Sequence, residues 1–212
     1  MNWLEQFSRH RGIIAILRGV QPNEVEDIAE ALIAAGITLI EVPLNSPNPF
    51  DSIEKLVKLG KGRALVGAGT VLTTDQVDKL ANIGAQLVVS PNTNPAVIQR
   101  TKARGLMSMP GVFTATDAFN ALEAGADVLK FFPADSLGPS GLSAVKAVLP
   151  KNTVLAAVGG VGESSFSSYL QKGITGFGIG GSLYKSGRSI EDVSAIAKGL
   201  VAAYDKALSQ TC

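Results

Sequence analysis

Short apolar, β-branched runs recur through the sequence, each followed by a longer stretch in which apolar residues return every three or four positions. A side-chain period of two marks an extended strand and one near 3.6 a helix with a buried face, so the alternation predicts repeated βα units around a parallel sheet. Eight strands are expected, near Ile13 to Leu17, Thr38 to Val42, Ala64 to Gly67, Gln86 to Ser90, Leu106 to Pro110, Val128 to Phe131, Val154 to Ala157 and Gly176 to Ile179. Gly36, Gly60, Gly84, Gly105, Gly125 and Gly173 stand just ahead of strands, where a left-handed cap would close the preceding helix. Their spacings are 24, 24, 21 and 20 residues and then 48, a double gap. Helix starts are marked by Pro22-Asn23-Glu24, by Thr74-Asp75, by Pro95 and by Thr114-Ala115-Thr116-Asp117. With 212 residues shared by eight units of about 26, the pattern fits one (β/α)8 TIM barrel domain over residues 1–212 with a short N-terminal helix. A doubly wound open sheet is the alternative architecture.

Composition narrows the partners. Hydrophobic residues make up 46% of the chain, ample for a large core. The 19 basic and 18 acidic residues leave a net charge of +1, with no run of like charge and no basic stripe interleaved with aromatics. Nucleic acid and anionic membrane surfaces are therefore poor partners. No apolar run approaches a membrane span, and Met1 to Arg11 lacks the apolar region of a signal peptide and reads as a short amphipathic helix. The one cysteine, Cys212, allows neither an intrachain disulfide nor a cysteine-rich metal site, which fits a reducing cytoplasm. The one histidine, His10, falls in the polar N-terminal segment and reads as a surface residue, so a histidine triad or zinc site is excluded and no metal is expected.

Against this background Val128-Leu129-Lys130-Phe131-Phe132-Pro133 stands out, because an ammonium group inside an apolar strand is costly. Desolvation favours the neutral amine and makes it a nucleophile able to form a Schiff base with a ketone. The other reading is a lysine whose stem lies along the barrel while its head reaches solvent or pairs with a carboxylate. Glu41 poses the same problem in Leu39-Ile40-Glu41-Val42-Pro43. Alternation puts Leu39 with Glu41 on one face, and Val128 with Lys130 and Phe132 on another. If both faces are the barrel interior the two groups meet, either as a nucleophile with its acid/base or as a buried ion pair, with Arg18 a second partner for the glutamate.

Barrel active sites lie at the C-terminal ends of the strands. The polar residues there are Arg18, Glu41, Asn45, Ser46, Thr70, Asn92 and Lys130. Glycine pairs Gly159-Gly160 and Gly180-Gly181, with Ser182, follow the last two strands, where exposed backbone N–H groups and a hydroxyl near a helix N-terminus suit a phosphate; tight turns alone would also explain them. Thr70 suits a carboxylate or, alternatively, caps the next helix, and Arg18 offers a planar fork to a carboxylate or phosphate. Gly176 to Gly181 matches a dinucleotide fingerprint literally but opens the last βα unit, which leaves no following strand to carry the ribose-binding acid. Met107 and Met109 read as core fillers.

With these residues in place, the chain resembles the class I pyruvate aldolases that cleave 2-keto-3-deoxy-6-phospho sugar acids. The matching segments are Ile14 to Gly19, Ile40 to Pro47, Gly67 to Leu72, Ser90 to Asn92, Leu129 to Pro133, Ala157 to Val161 and Gly178 to Ser182, from the first strand to the last. The resemblance implies that Lys130 forms the Schiff base and Glu41 shuttles the proton. It also implies that Arg18 and Thr70 bind the carboxylate end, and that Gly159, Gly160, Gly180, Gly181 and Ser182 surround the phosphate. Asn45 and Val158, within Pro43-Leu44-Asn45-Ser46-Pro47 and Val158-Gly159-Gly160, are similar to the galactonate-type pattern and imply specificity for 2-dehydro-3-deoxy-6-phospho-D-galactonate. Lys130-Phe131-Phe132-Pro133 and Gly180-Gly181-Ser182 look more like the gluconate type, so the gluconate epimer is the alternative substrate. No cofactor and a homotrimeric assembly are implied as well. A phosphosugar isomerase or epimerase, in which Lys130 acts electrostatically, and a catalytically silent phosphosugar-binding protein remain as other readings of the same residues.

Overall fold

A computed structural model describes residues 2–211; Cys212, on which the reading of the redox setting rests, lies outside them. Nine strand segments are present: β1 Ile13–Ile16, β2 Leu39–Pro43, β3 Leu65–Gly69, β4 Leu87–Val89, β5 Met107–Met109, β6 Gly111–Val112, β7 Val128–Phe131, β8 Val154–Val158 and β9 Gly176–Ile179. They pair in parallel in the order β5-β4-β3-β2-β1-β9-β8-β7-β6. The two outer segments, β5 and β6, are separated only by Pro110. The Asp127 N–H donates to the Ser108 carbonyl and the Lys130 N–H to the Pro110 carbonyl, both at 3.0 Å, so β7 bonds to the same stretch whose first half pairs with β4. The sheet thereby curls into the expected barrel rather than an open doubly wound sheet. The fifth strand runs further than the sequence suggests, to Val112, and is broken at Pro110, which supplies no N–H to a ladder.

The helices between strands are α2 Val25–Ala35, α3 Pro49–Leu59, α4 Thr74–Asn82, α5 Pro95–Ala103, α6 Ala115–Glu123, α7 Ala134–Lys146, α8 Phe166–Leu170 and α9 Ile190–Ser209. Strand alternation sorts the core into two layers. Ile13, Ala15, Ile40, Val42, Leu129, Phe131, Leu155 and Ala157 face the helices. Ile14, Leu39, Leu65, Leu87, Met107, Met109, Val128 and Ala156 fill the barrel, both methionines among them as core fillers. An N-terminal helix, α1 Trp3–Ser8, inserts Trp3 and Phe7 into this inner layer, and the Trp3 indole donates to the Gly105 carbonyl at 3.1 Å.

Several local expectations are corrected. Gly36, Gly84, Gly105, Gly125 and Gly173 have positive φ, but Gly60 closes α3 at φ −80 and the left-handed residue there is Gly62. Pro22 lies in a turn over residues 22–24, and α2 begins only at Val25. The cap of α4 is Thr73, whose hydroxyl accepts from the Gln76 N–H while Gln76 returns a bond to the Thr73 N–H. His10 is half-buried rather than a plain surface residue: its Nδ1 pairs with the Thr38 hydroxyl at 2.6 Å, and burial pulls its pKa down. No helix among the described residues is long and apolar enough to cross a membrane.

Candidate active site

A cavity of about 520 Å³ opens at the C-terminal ends of the strands. Arg18, Glu41, Thr70, Lys130, Val158, both glycine pairs and Ser182 line it. Asn45, Ser46 and Asn92, which the sequence places at the same mouth, do not. Glu41 and Lys130 lie on β2 and β7, four strands apart in either direction around the barrel, so they face each other across the lumen. The register holds them at matching depth, with Ile16 beside Glu41, Glu41 beside Gly67, Gly111 beside Lys130 and Lys130 beside Ala156.

Both side chains are nearly sealed from solvent, Glu41 at 2% exposure and Lys130 at 7%. Neither is neutralised by direct pairing. Among the described residues no ion pair within 4.0 Å joins Glu41 to Lys130 or to Arg18, which removes the reading of a purely structural buried salt bridge. The Glu41 Oε2 is buried without a hydrogen-bond partner. Burial pushes the Glu41 pKa up to about 7 against the pull of Lys130 and Arg18. Burial also draws the Lys130 amine below its usual range; the Glu41 charge opposes this and Arg18 adds to it. The Lys130 Nζ lies 5.1 Å from the centre of the Phe132 ring. One buried group thus shifts toward a neutral amine and the other toward a carboxylic acid that titrates near neutrality, the arrangement a nucleophile and a proton carrier require.

Gly69, at the end of β3, makes room for this: a Cβ there would run into the Glu41 carboxylate. Gly178 serves Val158 similarly, since its Cβ would lie 2.7 Å from Val158 Cγ2. Thr70 follows Gly69 with φ 56, a left-handed conformation rare for a β-branched residue, and its place on the cavity wall with Thr73 as the cap removes the capping role. Arg18 reaches across to Asn45, donating from Nη1 to Oδ1 at 2.6 Å.

The two glycine pairs differ in origin. Gly159 and Gly160 have φ 95 and 68, and a Cβ on Gly160 would strike the Asp135 carboxylate, so the turn itself demands glycine there. At Gly180 and Gly181 a Cβ would meet nothing closer than 3.8 and 3.6 Å, so what glycine leaves is open access to the backbone. The N–H groups of Gly160, Gly181 and Ser182 bond to no group among the described residues. Residues 181–183 form a turn held by the Leu183 and Tyr184 N–H groups on the Gly180 carbonyl, and α9 starts only at Ile190, so the helix N-terminus expected beside Ser182 is absent. Arg188, missed in the sequence, donates to the Ser182 carbonyl at 2.7 Å and brings a cation behind this turn. Also missed were the wall residues Ile16, Pro91, Phe132, Val161, Gly162 and Ser164. Phe132 carried a signal, since it shares a strand face with Lys130. No group of three or more His, Cys, Asp and Glu side chains able to hold a metal ion occurs among the described residues.

Comparison with known proteins adds a second line of argument. The family model described as KDPG and KHG aldolase matches residues 4–198. The chain is 55% identical to the probable 2-dehydro-3-deoxy-6-phosphogalactonate aldolase of Rhizobium meliloti (strain 1021), over 92% of each chain. It is 45% identical to the 2-dehydro-3-deoxy-6-phosphogalactonate aldolase of Escherichia coli (strain K12), over 92% of this chain and 96% of that one. A solved structure described as native KDPGal superposes with a TM-score of 0.92 at 45% identity, covering 93% of this chain and 96% of the other.

Proposed function

The chain belongs to the KDPG and KHG aldolase family of lyases, and from that premise we propose that it cleaves 2-dehydro-3-deoxy-6-phospho-D-galactonate through a Schiff base on Lys130. The products are pyruvate and D-glyceraldehyde 3-phosphate. The observation that carries the reading is the buried Lys130 facing the buried Glu41 across one cavity, with no ion pair between them and the Glu41 Oε2 left without a hydrogen-bond partner.

Neutral Lys130 attacks C2 of the ketone, and loss of water leaves an iminium. Glu41 takes the proton of the C4 hydroxyl, directly or through a water; the C3–C4 bond breaks, its electrons pass into the iminium to give an enamine, and the aldehyde phosphate leaves. Glu41 returns a proton to C3, and hydrolysis releases pyruvate and the free amine. Arg18 and Thr70 hold the carboxylate end, and Gly159, Gly160, Gly180, Gly181 and Ser182 hold the phosphate through their backbone donors and the Ser182 hydroxyl. Val158 sets the preference between C4 epimers because its side chain neither donates nor accepts. No cofactor takes part in these steps. A homotrimer is part of the proposal, with exposed Leu72, Phe113 and Phe119 available as apolar contact surface.

The decisive experiment is borohydride reduction in the presence of pyruvate, read by intact mass and peptide mapping. A single reduced adduct on Lys130 is expected. Labelling elsewhere, or none, sinks the Schiff-base assignment.

A further inference from the structure

We propose that Asn45 is a positioning residue, which holds the Arg18 guanidinium on the cavity wall while leaving its charge free for the substrate. This rests on the reading of Arg18 as holder of the substrate carboxylate. Arg18 lines the cavity and Asn45 does not, so Asn45 acts through the arginine rather than on the substrate. Their contact is short, 2.6 Å from Nη1 to Oδ1. An arginine only donates, so the amide must present its oxygen. The next residue repeats the gesture: the Ser46 hydroxyl accepts from the Gly19 N–H at 3.0 Å. Two consecutive residues after β2 therefore clamp two consecutive residues after β1, one through a side chain and one through the backbone.

The chemistry of the acceptor matters. An aspartate would match the shape and keep the bond, but its charge would satisfy Arg18 internally and repel a substrate carboxylate at the same fork. A neutral amide oxygen orients the guanidinium and leaves its positive charge uncancelled. That charge also reaches the reacting pair, since Arg18 lowers the pKa of both Glu41 and Lys130. Neutralising it should move both apparent values upward together.

The test measures half-saturation by pyruvate in borohydride trapping of the full chain, with inhibition by inorganic phosphate as a control for general damage. Asn45→Ala should raise half-saturation about fivefold, the effect of losing one ordinary net hydrogen bond from a solvent-exposed arginine. Asn45→Asp should raise it further, tenfold or more, and shift the pH profile of trapping upward, with phosphate inhibition unchanged in both. A merely structural contact predicts the reverse order, because aspartate keeps the bond and alanine loses it. Pyruvate affinity in Asn45→Asp equal to wild type or better than in Asn45→Ala overturns the proposal, as does a parallel loss of phosphate inhibition. If Asn45→Ala fails to fold, Asn45→Asp against wild type decides alone. Arg18→Met separates the two layers of argument: unchanged pyruvate affinity in that variant refutes the carboxylate role of Arg18, whereas a raised value beside wild-type behaviour in both Asn45 variants refutes the positioning role only.

Discussion

Glu41 is a single buried group that is costly to the fold and that carries the proton in the proposed reaction. Its pKa is raised to about 7 from a usual value near 4.5, chiefly by burial. A raised carboxyl pKa means that the native state holds its proton more tightly than the unfolded chain, so its stabilising contribution is complete below about 4.5 and is lost as pH rises through about 7. Glu41→Gln should therefore melt higher than wild type at pH 8 and not at pH 4, while kcat for cleavage falls roughly 100-fold to 10,000-fold. Thermal melts at the two pH values and a cleavage assay read both halves, and a variant less stable at pH 8 would contradict the account. Val158 belongs to the same argument about single side chains. Val158→Thr adds a hydroxyl in nearly the same volume, and one hydrogen bond worth about 0.5 to 1.5 kcal/mol should shift kcat/KM toward the gluconate epimer by a few-fold to about tenfold. Wild type should use the galactonate epimer at least as well as the gluconate one; the opposite ranking in a side-by-side assay would reject that specificity.

Strands carry the two groups of the proposed reaction, and their place is readable in the sequence because an ionisable residue interrupts an otherwise apolar run at Glu41 and Lys130. Period two puts Glu41 on the face of Leu39 and Lys130 on the face of Val128; that both faces are the barrel interior comes from the packing of Leu39 and Val128 in the inner layer. What the sequence did not reveal depends on neighbours far along the chain. That Gly69 must lack a side chain is a fact about β3 against β2, where a Cβ would occupy the space of the Glu41 carboxylate. That Ser182 sits in a turn rather than at a helix start depends on the Gly180 carbonyl collecting two N–H groups and delaying α9. The resemblance gives Asn45 a part in specificity, and what the sequence does not show is that its side-chain oxygen accepts from Arg18. The glycine prediction is direct: Gly69→Ala should displace the carboxylate and reduce kcat/KM by about 100-fold, the cost of misplacing a reacting group by about 1 Å. Near-normal turnover in that variant would show that Glu41 has room the packing denies it.

The barrel as a whole separates chemistry from support. The cavity opens at one end, and α1 closes the other with Trp3 and Phe7. Trp3→Ala should lower unfolding free energy by about 3 to 5 kcal/mol, as expected when a large aromatic is removed from a packed layer. Turnover by the folded fraction should stay within about twofold of wild type, and chemical denaturation beside kinetics checks the separation. The break at Pro110 bears on a different property. Because β5 and β6 are the two outer segments of the pairing order yet adjoin in the chain, no strand among the described residues offers a free row of N–H and C=O groups to another molecule. Opening that junction would create two sticky margins at once. It would also release the Lys130 N–H from the Pro110 carbonyl, so displacement of the proposed nucleophile and the onset of intermolecular aggregation would be the same event.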